Sequence, residues 1–373
     1  MTSTPFVHLH VHTEFSLLDS TVRIPALMQH CASDGMPAVA MTDQNNLFGM
    51  VKFYKKAMSA GIKPIIGVDL RITNEEEADR PHQLILLCQN EVGYRNLARL
   101  VSRTFREGQV RGVPQARREW LDQVSCEGLI ALSAGMQGDI GRALLNAHDD
   151  IAKNLLDGWR AVFGDRFYLE LIRTGRSGEE DCVQACLKLA VAEKVPVVAS
   201  NDVRFISRDD FNAHEARVCI HDGRGLADPD RPRNYSENQY LRSSQKMTEI
   251  FADVPAAIEN AFEIARRCNL NLKLGHSVLP AFPVPEGQTE TEFLAAEAER
   301  GLLVKLEEIY AAKLTPDKER AALNAPYFER LKIELDVLCV PNLDAWNKYL
   351  RHVEKSNLKR GMNRTVYLTN LVG

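Results

Sequence analysis

Three histidines alternate near the start of the chain, His8, His10 and His12 in VHLHVHTEFSLLDS. Along a strand the side-chain period is two, so this spacing sends all three imidazoles to one face. Imidazole nitrogens bind zinc, iron or manganese, and a pair at i and i+2 can hold a single ion. A histidine pair merely hydrogen-bonded in the mouth of a barrel fits the same residues equally well. Asp43, Asp69, Glu170 and Asp202 are candidates for the same place, because each falls at or near the carboxyl end of an expected strand.

Short apolar runs predict strands at residues 6–12, 37–43, 64–70, 83–88, 129–133, 167–171 and 196–202. Amphipathic stretches lie between them. Val183, Cys186, Leu187, Ala190 and Val191 share one helical face, as do Tyr94, Leu97, Val101 and Phe105. Strand–helix alternation of this kind calls for a parallel sheet or a barrel. A β/α barrel gathers the carboxyl ends of its strands on one face, whereas an open sheet binds ligands at a switch point with fewer strands contributing. The spread of candidates over many strand ends favours the barrel. Further on, one long helical pattern is expected from 245 to 269 through Ile250, Val254, Ile258, Phe262 and Ile264. LPAFPVPEG then reads as a linker, and Thr289 with Glu292 has the spacing of a helix capping box.

Composition sets limits on function. A chain of 373 residues with 45% hydrophobic and 26% charged residues is globular, and a formal charge of −4 gives no global field for nucleic acid. The eight cysteines contain no CxxC pair, which points to reduced thiols. No apolar run approaches membrane-spanning length, and no signal peptide pattern opens the chain, so a cytoplasmic location is expected.

The segments HLHVHTEFSLLDS, AVAMTDQNNLFGMVKFYKKAMSAGIKPIIGVDL, NEVGYRNLARLVS, YLELIRTGR and PVVASNDVRFI resemble the PHP (polymerase and histidinol phosphatase) domain of the bacterial DNA polymerase III alpha subunit family. The likeness continues through HEARVCIHDG, DPDRPRNYS and LPAFPVPEG and fades near Leu338. It implies an α/β fold: a distorted (β/α)7-type barrel over residues 1–272, then a partial, mostly helical start of a polymerase palm over 273–337. Residues 338–373 form a basic tail that does not align.

Members with an intact site resemble trinuclear metallophosphoesterases. Position by position, His10 and His12 match the histidine pair, while Asp19 and Asp202 match two acidic ligands. Asp69 stands where a glutamate is usual. The other positions depart from the pattern. Gln83, next to His82, replaces a histidine; Gly135 replaces a cysteine; Thr174 and Arg204 each replace a histidine; Gln44 stands where a histidine is frequent. Arg204 follows Asp202 by two residues, hence on the same strand face, and its guanidinium cannot be deprotonated. It is expected to repel a metal and to pair with Asp202 or Asp43. The resemblance therefore implies a vestigial centre of low metal occupancy at His10, His12, Asp19, Asp69 and Asp202, with His8, Asp43, His82, Glu170 and Arg204 as neighbours. No cofactor is expected in this chain. The alternative is a residual one- or two-metal site built on His10, His12, Asp19 and Asp202, holding zinc or manganese and supporting phosphoesterase or 3′–5′ exonuclease chemistry.

Where the PHP site is degenerate, the resemblance implies a docking platform for the proofreading exonuclease (epsilon) subunit within a replicase. The loop 228–235, with Arg231 and Arg233 beside Asp228 and Asp230, is a candidate contact, although such clusters are more often solvated turns. In the family, polymerisation uses Mg2+ held by palm aspartates and a glycine- and serine-rich triphosphate loop. Neither element occurs in this sequence, so no catalytic residue for polymerisation is expected here, and DNA contact falls to the polymerase core. The tail carries Lys348, Arg351, Lys355, Lys359, Arg360 and Arg364 against Asp344 and Glu354, and reads as out-of-frame or fused sequence rather than as a nucleic-acid helix. Trp120, Trp159 and Trp346 are expected to pack rather than stack on bases. Cys182 with Cys186 reads as a buried helix face, and His214 with His221 as ordinary helix.

Overall fold

Continuous apolar runs make strands that are buried on both faces. Six of them form one sheet in chain order: β1 (Ala38–Gln44), β2 (Lys63–Ile72), β3 (His82–Cys88), β4 (Leu129–Leu132), β5 (Phe167–Ile172) and β6 (Val197–Ser200). Helices such as Met50–Ser59, Glu91–Glu107 and Glu179–Glu193 lie between them in sequence. This computed structural model describes residues 5–77, 79–275, 283–313 and 317–339. The chain divides into the units Met1–Leu274 and Gly275–Gly373.

Residues 6–12 complete the ring, as extended backbone rather than a regular strand. On one side the amides of Ala40 and Thr42 donate to the carbonyls of His8 and Val11, both at 2.9 Å. On the other, His12 donates to the Val203 carbonyl at 3.0 Å, and Val203 donates to that of His10 at 3.1 Å. A regular ladder fails because the Val11 amide donates instead to Thr42 Oγ1, at 2.9 Å. The ring has seven members and the expected α/β barrel forms.

The sheet is not wholly parallel as strand–helix alternation suggests. β3 runs antiparallel to both neighbours, pairing Asp69 with Ile85 and Ile85 with Leu132. Residues 73–81 are too few for a helical crossover, so the chain returns directly. The reversal carries the amino end of β3, with His82 and Gln83, to the rim where the other strands end. The single helix expected over 245–269 is two, Ser244–Ile250 and Pro255–Arg267, because Pro255 opens a new helix at its first turn. Val191 also differs from expectation. It is 80% exposed, while Val183, Cys186 and Ala190 are buried on the shared face.

The second unit contains the helices Glu290–Lys313 and Asp317–Leu338. Thr289 and Glu292 form the reciprocal cap: the Thr289 amide donates to Glu292 Oε2 at 2.9 Å and the Glu292 amide to Thr289 Oγ1 at 3.3 Å. Leu306 and Tyr310 are buried, and the Tyr310 hydroxyl donates to Asn324. Part of the expected linker (276–282) and the tail from residue 340, with Trp346, lie outside the described residues. Trp120 and Trp159 are core residues.

His8 fixes the strand that carries the other two histidines. Its Nε2 lies 2.8 Å from the Arg242 carbonyl, which can only accept, so Nε2 bears the proton and the buried Nδ1 has no partner. Burial lowers its pKa from 6.5 to about 4. The unfolded chain then takes up this proton first as pH falls. The stabilisation is complete above about pH 6.5 and is lost on the way down to about 4. Chemical denaturation of the chelator-treated protein should show falling stability across that window, flattened by His8→Gln. An unchanged slope in the variant would count against a neutral His8.

Candidate metal centre at the barrel rim

His10 and His12 are buried side by side, with Nε2 atoms 3.3 Å apart. Each ring is held from behind. His10 Nδ1 donates to Glu170 Oε1 at 3.0 Å. Ser16 Oγ gives its only hydrogen to Asp43 Oδ1 at 2.7 Å, so His12 Nδ1 must donate to Ser16 Oγ, at 2.9 Å. Both Nε2 atoms consequently face the barrel interior. Two lone pairs at that distance repel, so a positive charge has to sit between or on them. Burial opposes a charge on His10, but Glu170, Asp202 and Asp69 outweigh it and raise its pKa to about 8. In the metal-free protein at neutral pH, that charge is a proton on His10.

The carboxylates complete the cluster. Asp69 Oδ2 lies 3.3 Å from His12 Nε2 and 4.0 Å from His10 Nε2, and Asp202 Oδ1 lies 3.5 Å from His10 Nε2. A tetrahedral ion with nitrogen and oxygen bonds of about 2.0–2.1 Å spaces its ligands about 3.3–3.4 Å apart. The Asp69 oxygens and Glu170 Oε2 are buried without a hydrogen-bond partner. Among the described residues, His10, His12 and Asp202 place their donor atoms within 4.8 Å of one another. This spacing fits one ion held by these three residues, with the orphaned Asp69 oxygens beside it against His12.

They do not fit three. Arg204 Nε donates to Asp202 Oδ1 at 2.7 Å, and its Nη1 donates to Asp19 Oδ2. Gln239 and Arg176 occupy Asp202 Oδ2, at 2.8 and 3.2 Å. Burial disfavours ionised Asp202, but Arg204, His10 and Arg176 hold its pKa far below the usual carboxylate range. Thr174 Oγ1 is committed to Glu179 at 2.9 Å, and Gly135 offers no donor. The guanidinium thus takes the place between Asp19 and Asp202. Its partners are Asp202 and Asp19, not Asp43, whose oxygens are filled by Thr13 and Ser16.

Of the other expected neighbours, Glu170 joins the cluster directly and Asp43 acts through Ser16. His8 is committed to the Arg242 carbonyl, and among the described residues no hydrogen bond or ion pair joins it to His10 or His12. His82 sits at the start of β3, with a pKa lowered to about 4 by burial and by Arg142; among the described residues no hydrogen bond or ion pair joins it to His10 or His12. Several residues escaped the sequence reading. His214, taken as ordinary helix, has Nε2 2.9 Å from the Asp19 carbonyl. The Tyr235 hydroxyl donates to Asp19 Oδ2 at 3.2 Å. The 228–235 loop is therefore not simply a solvated turn: Tyr235 reaches the rim and Arg231 pairs with buried Glu215. Their only signal was that they lie within HEARVCIHDG and DPDRPRNYS.

Residues 8–174 of the chain match the PHP domain family. The wider relationship is to DNA polymerase III subunit alpha. Identity is 47% over 333 residues with the protein of Pseudomonas fluorescens, 49% over 333 with that of Pseudomonas aeruginosa, and 45% over 339 with that of Escherichia coli (strain K12). These alignments take in 89 to 91% of this chain but only 28 to 29% of each relative. Among solved structures, an amidohydrolase from Chromobacterium violaceum aligns at a TM-score of 0.39 and 14% identity, over 57% of this chain and 96% of its own. That likeness is too low to inform the rim. No helix among the described residues is long and apolar enough to cross a membrane.

Removing a buried partner costs more than the pair is worth, because the charge left behind is neither hydrated nor met. Arg204→Met should therefore destabilise the barrel by about 3–5 kcal/mol in urea unfolding. A loss below about 1 kcal/mol, the scale of an exposed ion pair, would mean that Arg204 is not the countercharge of Asp19 and Asp202.

Proposed function

We propose that this barrel is the amino-terminal module of a bacterial DNA polymerase III alpha subunit, and that its rim is catalytically silent. In this reading it is a scaffold on which the proofreading exonuclease (epsilon) subunit docks. The observation that carries the reading is Arg204 between Asp19 and Asp202. Multi-ion phosphoester cleavage needs metal charge on both the attacking and the leaving oxygen, and an open ligand position. A guanidinium supplies charge but no open position. Mg2+-dependent nucleotidyl transfer, DNA contact and the remaining replicase contacts belong, in this reading, to the polymerase core of a cytoplasmic replicase.

We also assign residues 1–272 to the PHP module, 273–337 to the start of the palm and 338–373 to a separate basic tail. The division of contacts at Leu274 supports the first boundary.

A second reading rests on the unpartnered Asp69 oxygens and the two inward Nε2 atoms. There, His10, His12, Asp69 and Asp202 hold one zinc or manganese ion, which when bound supplies Lewis acidity toward a phosphoryl oxygen or a water. The chain would then be a phosphoesterase or a 3′–5′ exonuclease.

Two measurements on the purified chain separate these readings. Gel filtration with the exonuclease subunit should give a stoichiometric complex, and a phosphodiester assay with added manganese should give no turnover. Turnover that disappears in His10→Ala and His12→Ala would establish the second reading and overturn the first.

A further inference from the structure

Two helices that both pack on β2 carry a charge opposite to that of the chain. The chain as a whole stands at −4. Met50–Ser59 holds Lys52, Lys55 and Lys56 with no acid, and Glu91–Glu107 holds Arg95, Arg99, Arg103 and Arg106 against Glu91 and Glu107. Seven cations against two acids leave +5 on this pair. Arg95 and Arg103 are met within their own helix by Glu91 and Glu107, and Lys52 reaches Glu14. Lys55, Lys56, Arg99 and Arg106 are exposed and have no carboxylate within 4.0 Å among the described residues.

The same two helices are bridged by aromatic rings turned to solvent. Phe48, just before the first helix, and Phe105, near the end of the second, lie with centroids 6.5 Å apart and planes at 44°. They are 64% and 40% exposed. At 100° per residue the four arginines fall within about 80° of arc on the exposed crest of Glu91–Glu107, and Phe105 lies on one flank of that crest. Along the other flank runs a hollow of about 260 Å³, edged by Arg99 and Arg103 and floored by Leu100 and Trp120, which stays packed beneath Arg103.

This order suits a polyanion that carries flat rings. Contacts between proteins deplete charge, lysine included, from their centre. Here cations form the centre and apolar rings the edge. Arg95, Arg99 and Arg103 are about 6 Å apart along the helix, one turn each. Phosphates of one strand in a stacked duplex advance only about 3.4 Å along its axis, so the row matches a strand drawn out with its bases unstacked. Exposed aromatic faces take such bases whatever their sequence.

We propose that the outer face of the barrel formed by Met50–Ser59 and Glu91–Glu107 binds single-stranded nucleic acid, with the backbone on Arg99, Arg106 and Lys55 and a base against Phe48 and Phe105. The site shares no residue with the histidine cluster, needs no metal and performs no chemistry. It is independent of the docking reading, which leaves DNA to the polymerase core. DNA and RNA strands offer the same phosphates and rings.

Fluorescence anisotropy of the full chain in EDTA tests it, with labelled oligothymidylate, oligouridylate of the same length and a duplex of that length over a series of salt concentrations. Both single strands should bind at low salt, more tightly than the duplex, and the tighter of the two identifies the sugar. Arg99→Gln and Arg106→Gln should each weaken binding and make the logarithmic salt dependence shallower by about 0.7. Phe48→Ala and Phe105→Ala should weaken it about fivefold or more at an unchanged salt slope, the scale of one lost stacking contact. Phe105→Tyr, which keeps the ring, should bind like the wild type and guards against a folding defect. Lys188→Gln, an exposed cation on the helix Glu179–Glu193, should change nothing. No binding at low salt, a duplex bound as tightly as the strands, or wild-type affinity in the arginine and alanine variants would overturn the proposal. Displacement by polyglutamate as effective as by unlabelled strand would also overturn it, and would assign the face to an acidic protein.

Discussion

Asp19, Asp69, Glu170 and Asp202 are held out of water around a pair of imidazoles, and their negative charge must be met inside the protein. An ion taken from water into a protein interior costs several kcal/mol even after relaxation, so the arrangement persists only where opposite charge lies within hydrogen-bond reach. Arg204 meets two of the four carboxylates at once. The proton on His10 addresses Glu170 and Asp202. Asp69 lies within 4.0 Å of both imidazoles but accepts no hydrogen bond, and a single ion fits beside it among His10, His12 and Asp202.

The rest of the barrel serves this balance. Residues 6–12 close the ring between β1 and Val203, which fixes both histidines by backbone hydrogen bonds rather than by loops. Asp202 adopts φ of 45°, a left-handed conformation that aspartate tolerates better than most residues. Such a conformation persists where surrounding contacts over-determine it. Here Arg204, Arg176 and Gln239 all bind its carboxylate. The Arg204 amide donates to Gln239 at 2.8 Å, and Tyr235 reaches Asp19, so the segment after the 228–235 loop is fastened to the same charges. The rim is thus a structural joint as well as a cluster that could hold a metal ion.

Much of this was legible in the sequence because it depends on local periodicity. The strand positions follow from short apolar runs, and the pairing of Arg204 with Asp202 follows from a spacing of two. What was not legible depends on tertiary direction or on small polar groups. β3 runs backwards because the segment 73–81 is short, a fact that apolar pattern does not register. Ser16 and Thr13 carry no metal-ligand signature, yet they orient His12 and saturate Asp43. His214 has the look of a helix residue until the fold brings Asp19 against it from nearly 200 positions away. The break at Pro255 and the exposure of Val191 are ordinary failures of a helical pattern to mark where a helix ends.

The most direct measurement is a crystal structure of the wild-type chain with anomalous scattering recorded at the zinc and manganese edges. The account predicts guanidinium density for Arg204 between Asp19 and Asp202, with no anomalous peak bridging those two carboxylates. A metal peak bridging Asp19 and Asp202, with Arg204 swung out toward solvent, would contradict it.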